Sequence, residues 1–86
     1  MPVYMVDRNL PGMTKDQFEA AKKAAVDASQ KMSAQGKTVR YIRSTYVPSE
    51  GHCMCLFEAS KSEHVKELNE AAKLPFSRIV EAQDLK

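Results

Sequence analysis

Cys53 and Cys55 stand one residue apart, with His52 directly before them. In an extended chain, residues at this spacing project from one face, and two thiolates on one face can both reach a soft metal ion. The one-residue gap is not the two-residue gap of zinc knuckles, and His52 falls on the opposite face. The competing reading is therefore two small apolar thiols filling space beneath a packed surface. Extended backbone also separates them too far for an easy bridge, so both read as free thiols, which suits a reducing compartment. Tyr41, Arg43 and Glu81 form a second set, a phenol, a guanidinium and a carboxylate that could fix a small polar or anionic ligand. They could equally form an ion pair and a satisfied hydroxyl that lock two subunits together, because buried charge needs a partner in either role. Asp7, Arg8 and Asn9 make a third cluster that reads as a solvated turn, and His64 reads as an exposed helix residue.

These groups need elements to hold them. Val3 to Arg8 is rich in β-branched and aromatic residues and is closed by Pro11-Gly12, which predicts a first strand. Thr14 and Gln17 have capping-box spacing, with Met13 placed to staple onto Phe18. Phe18, Ala21, Ala25, Ala28 and Met32 then recur at helical steps until Gly36, which predicts a helix over Lys15 to Gln35. Thr38 to Val47 and His52 to Ala59 read as strands joined by the turn Pro48-Ser49-Glu50-Gly51, hence an antiparallel hairpin. Ser60 and Glu63 repeat the capping-box spacing and Pro75 forbids continuation, giving a second helix over about Lys61 to Lys73. Arg78 to Leu85 reads as a last strand.

The order strand, helix, strand, strand, helix, strand is that of the ferredoxin-like fold, an α+β sandwich with a four-stranded antiparallel sheet and both helices on one face. Period two then places Val6, Ile42, Met54, Leu56 and Val80 under the helices. Met5, Tyr41, Arg43, Cys53, Cys55, Phe57, Ile79 and Glu81 fall on the open face, which is too apolar for water and calls for a second copy or a ligand. With 86 residues, 43% of them hydrophobic, the chain is one domain (1–86) with a thin core that a partner would help to cover. A formal charge of +2 is too small an excess to imply a nucleic-acid partner, and Glu19 to Lys23 and Asp27 to Lys31 are acid-to-base pairs of a solvated helix face. The RNA-recognition motif shares the element order, but Cys53 and Cys55 stand where it would stack bases, leaving only Phe57. No apolar run approaches the ~20 residues needed to span a bilayer, and no export signal opens the sequence, so a cytoplasmic protein is expected.

The segments Met1 to Val6, Val39 to Thr45, Cys55 to Ala59, Leu74-Pro75-Phe76 and Ile79 to Ala82 together resemble a bacterial family called Domain of Unknown Function 4242. The resemblance covers nearly the whole chain. It implies a ferredoxin-like fold assembled as a dimeric α/β barrel, and the family includes nickel-binding members. In those, histidines lie near the end of the first strand and in the turn before the last, where this sequence has Arg8, Asn9 and Leu74; Cys55 and Glu58 keep matching residue types. The expected function is thus a homodimer that binds a small molecule or a divalent metal such as nickel. Tyr41 and Arg43 would orient the ligand, Cys55 would make a soft contact, and Glu58 or Glu81 would be the acidic partner; a metal would use Cys53, Cys55 and Glu58. The alternative is a cofactor-free enzyme of the monooxygenase, decarboxylase or isomerase type found on dimeric α/β barrels, a reading by fold analogy.

Overall fold

Both halves of a capping box open the first helix: Thr14 Oγ1 accepts from the Gln17 N–H at 3.1 Å, and Gln17 Oε1 accepts from the Thr14 N–H at 2.9 Å. The computed structural model describes residues 1–85. The elements are β1 (Val3–Asn9), α1 (Lys15–Ala34), β2 (Val39–Val47), β3 (His52–Ala59), α2 (Ser62–Ala71) and β4 (Arg78–Ala82). All strand pairs are antiparallel and the sheet order is β2-β3-β1-β4, the ferredoxin-like arrangement.

The second helix departs from expectation at its start. Ser60 Oγ bonds the His64 ring at 3.2 Å instead of capping, and the N-cap is Lys61 with no side-chain cap bond. Its end is a Schellman closure: Lys73 takes a left-handed φ of 59°, and the Leu74 N–H returns to the Asn69 carbonyl at 2.9 Å. Pro75 then prevents another turn. The last strand stops at Ala82 rather than running to Leu85, and Asp84 beyond it receives a hydrogen bond from Arg43.

The face assignment read from hydropathy holds for β1 and is reversed for β3 and β4. Val6, Cys55 and Ile79 lie side by side across the sheet, as do Tyr4 and Phe57. Val6, Phe57 and Ala59 are fully buried, and the core continues into Ala25 and Met32 of α1 and Val65 and Leu68 of α2. Cys53, Cys55, Phe57 and Ile79 therefore lie under the helices, while Met54, Leu56 and Val80 share the open face with Met5. Size explains the choice: small Cys and Ala let the helices approach, and Phe57 supplies the bulk.

Strand β2 changes phase along its length. Tyr41 pairs with Phe57 but Arg43 pairs with Leu56, so Ile42 is the extra residue of a β-bulge. Beyond it Ser44 stands opposite Cys55 and Tyr46 opposite Cys53. A regular strand would put Tyr41 and Ser44 on opposite faces; the inserted residue puts both on the helix side.

Candidate functional site

The bulge, the cysteine spacing and the end of β1 converge beneath α1. A cavity of ≈ 60 Å³ opens between that helix and the sheet. Its polar groups are Arg8 from β1, Tyr41 and Ser44 from β2, and Cys53 and Cys55 from β3. Phe18 and Ala21 of α1, with Leu10, Met13 and Leu74 from the loops, supply apolar walls.

The polar groups form a chain. Tyr41 Oη and Ser44 Oγ are 2.7 Å apart, Ser44 Oγ donates to Cys55 Sγ at 3.0 Å, and the two sulfurs are 3.8 Å apart. Burial pushes the Cys53 thiol up to about 12, with the neighbouring Cys55 adding to the rise. Burial also raises the Tyr41 phenol, against the opposing hydrogen bond from Ser44. Both groups are therefore protonated and neutral at pH 7. A thiol held protonated is a poor nucleophile, so the chain is suited to hydrogen bonding rather than covalent attack.

Arg8 is the charged member. It is 2% exposed, in register with Cys53, and extends under α2, donating from Nη2 to Asn69 Oδ1 at 2.7 Å and from Nη1 to the Pro75 carbonyl at 3.3 Å. Asn69, itself fully buried, is oriented by donating to the Val65 carbonyl at 2.8 Å. Among the described residues no salt bridge reaches Arg8, and its Nε is buried without a partner.

Asp7, the preceding residue, faces the other way. On the open face its carboxylate accepts from Arg78 Nε at 2.7 Å and contacts His52 Nε2 at 2.6 Å. The Arg78 hydrogen bond holds the carboxyl below its ordinary value, aided by His52 and opposed by burial. The solvated turn expected for Asp7 to Asn9 is thus strand, with Asp7 and Arg8 both buried. His52 lies on the open face rather than under the helices.

The residues singled out from sequence are divided between the two faces. Tyr41, Cys53 and Cys55 come together in the cavity, where Arg8 and Ser44 join them. Arg43 lies on the open side, bonded to Asp84, because the bulge turns it away from Tyr41. Glu58 is also on that side, paired with Arg40 at 3.2 Å, so it does not reach the thiols. Glu81 is in register with Tyr4, on the helix side, but exposed. Arg8 and Ser44 were not among the expected site residues. The polar Ser44 three residues after Tyr41 was the signal for it; for Arg8 there was only a charge inside a strand-like run.

Residues 4–82 match the family described as nickel responsive protein SCO4226-like. The chain belongs to that family. The SCO4226-like match is compatible with the resemblance to Domain of Unknown Function 4242 and does not confirm that name. The crystal structure of SCO4226 from Streptomyces coelicolor A3(2) is similar, with a TM-score of 0.83 at 22% identity over 98% of this chain and 99% of that one. At that identity the likeness establishes the α+β fold. Comparison with curated proteins returns no match. Among the described residues no helix is long and apolar enough to cross a membrane.

The family name raises nickel, and the donors of this chain can be tested against it. Among the described residues no three His, Cys, Asp or Glu side chains gather as a metal site. The thiol pair supplies two soft donors, but Cys53 resists deprotonation, and metal ligation requires thiolates. A fixed guanidinium beside the sulfurs further disfavours a dication. The described residues of one chain do not complete a nickel site.

Proposed function

We propose that this protein is a homodimeric binding protein of the SCO4226-like family that holds a small molecule in the cavity between α1 and the sheet. The observation that carries the reading is the lining: a polar chain of Tyr41, Ser44, Cys55 and Cys53, with buried Arg8, set in otherwise apolar walls. A few convergent polar groups in an apolar hollow are the usual composition of a ligand site. The protonated Cys53 thiol and Tyr41 phenol favour binding over catalysis, because neither is poised as a base near pH 7.

The dimer part of the proposal rests on the bare side of the sheet. Met5, Met54, Leu56 and Val80 form a contiguous half-buried apolar band there, flanked by the pairs Arg40–Glu58 and Arg43–Asp84. Apolar centre and charged rim is the anatomy of a protein interface. A cytoplasmic setting is proposed with it, since free thiols suit a reducing compartment.

Nickel binding is the second reading, favoured by the two sulfurs 3.8 Å apart and by the family's description. It requires both thiols to lose their protons and further ligands to come from outside the pair. Isothermal titration of the purified protein with nickel and, separately, with small apolar acids, alcohols and amides tests both readings. Heat with the organic panel that disappears in Ala21→Phe supports the cavity. Heat with nickel that disappears in Cys53→Ser/Cys55→Ser, with proton release, supports the metal. Silence in both titrations refutes the binding function.

A further inference from the structure

The cavity beneath α1 carries an unbalanced positive charge. Besides buried Arg8 it is lined by Lys22, and no acidic side chain is among its lining residues. The partners of Arg8, an amide oxygen and a carbonyl, are neutral, and its Nε has none. Asp7 cannot reach across, because it sits on the opposite face and is held by Arg78 and His52. A buried guanidinium without a counter-charge is costly, and the same cost makes an incoming anion favourable.

The surroundings limit that anion. The Tyr41 hydroxyl, paired with Ser44 Oγ, can turn its proton to an anion, while the Ser44 proton stays on Cys55 Sγ and Phe18, Ala21 and Leu74 offer nothing polar. At about 10–15 Å³ per water-sized position, ≈ 60 Å³ accommodates about four to six heavy atoms. A carboxylate group with two or three carbons behind it fills this space and matches both ends. A divalent anion would bring a second charge against apolar walls.

We propose that the ligand of this cavity is a short-chain monocarboxylate, its carboxylate held by Arg8 with the Tyr41 hydroxyl and its tail against Phe18, Ala21 and Leu74. The proposal rests on the cavity being the binding site and names the ligand class. Arg8 supplies the charge-assisted hydrogen bonds, which suit a planar carboxylate. Both thiols border the site, and Cys53, held protonated by burial, does not compete for Arg8.

The test is titration of ¹⁵N-labelled protein at pH 7 with sodium butyrate, sodium propionate, 1-butanol, sodium chloride and sodium phosphate, following the Arg8 Nε–Hε signal and the Cys53 and Cys55 amides. Butyrate and propionate should give saturable shifts that include Arg8 Nε–Hε. 1-Butanol should bind at least about tenfold more weakly, the loss of one charge-assisted bond, and chloride and phosphate should not saturate. Arg8→Met should erase the preference for butyrate over butanol. Ala21→Phe, which fills the hollow and leaves Arg8 in place, should abolish both. Equal affinity for butyrate and butanol would overturn the monocarboxylate and leave the cavity reading standing. Chloride or phosphate binding as tightly as butyrate would likewise overturn the assigned class, and no shift with any probe would overturn both readings. Should Arg8→Met fail to fold, the butyrate-to-butanol ratio in the wild-type protein and the Ala21→Phe result decide the matter.

Discussion

Replacing Asp7 by Asn tests whether the Arg78–Asp7–His52 cluster braces the end of β1. Its carboxylate makes two contacts, at 2.7 Å to Arg78 and 2.6 Å to His52. Hydrogen bonds to charged groups contribute about 1.5–3 kcal/mol each when shielded. The side chain of Arg78 is 62% exposed and that of His52 34%, so solvent screening brings each contact toward the surface-pair range of about 0.2–1 kcal/mol. The substitution should therefore cost about 0.4–2 kcal/mol at pH 7 for the two contacts together, a fall in Tm of about 2–16 °C for a domain of this size. Asp7 titrates below its ordinary value of 3.8 in the folded chain, so the folded state keeps it ionised to lower pH than the unfolded state does. Its stabilisation is complete above the unfolded value and is lost as pH falls through the folded one. Urea unfolding of wild type and Asp7→Asn at one fixed protein concentration, at pH 7 and again near pH 2, should show a difference that shrinks toward zero in acid. A difference unchanged between the two pH values, or none at pH 7, would refute the electrostatic role.

The native Cys53 thiol should react with iodoacetamide at pH 8 roughly a hundredfold more slowly than in denaturant, because burial keeps it protonated; fast native labelling would show that the thiol is not shielded beneath α1. Gly51→Ala should destabilise by at least about 2 kcal/mol, since Gly51 has φ +63° and a Cβ there would lie 2.7 Å from the Pro11 backbone; a neutral effect in urea unfolding would show that the two turns separate freely. Leu56→Glu should convert a dimer to a monomer in sedimentation velocity without loss of helix signal; a wild-type chain already monomeric at micromolar concentration would eliminate the proposed interface.

What the sequence made legible was local chemistry. The Thr14–Gln17 box, the Gly36 stop and the Pro48 to Gly51 turn each leave a residue-level mark, and together they determined the element order and hence the fold. Face assignment was harder because β3 is apolar on both sides, so alternation in His52 to Ala59 does not say which side meets the helices; the choice is made by fit beneath α1 and α2. The bulge at Ile42 carries no glycine or proline to announce it, and it alone separates Tyr41 from Arg43. Arg8 and Asp7 were misread for a physical reason as well. Charged residues are seldom buried unless paired, and the partners of this pair, Asn69, Pro75, Arg78 and His52, are at least 45 residues away in the chain.

The extra residue in β2 works as a phase shifter. Upstream of Ile42 the strand presents odd-numbered side chains to the helices, and downstream it presents even-numbered ones. Straightening the strand with Ile42 retained would force one half of it to turn over, either driving the Arg43 guanidinium beneath α1 or expelling the Tyr41 ring from it. The bulge therefore governs which side chains the hollow contains, and relatives of unequal length here must be compared by sheet register rather than by position count.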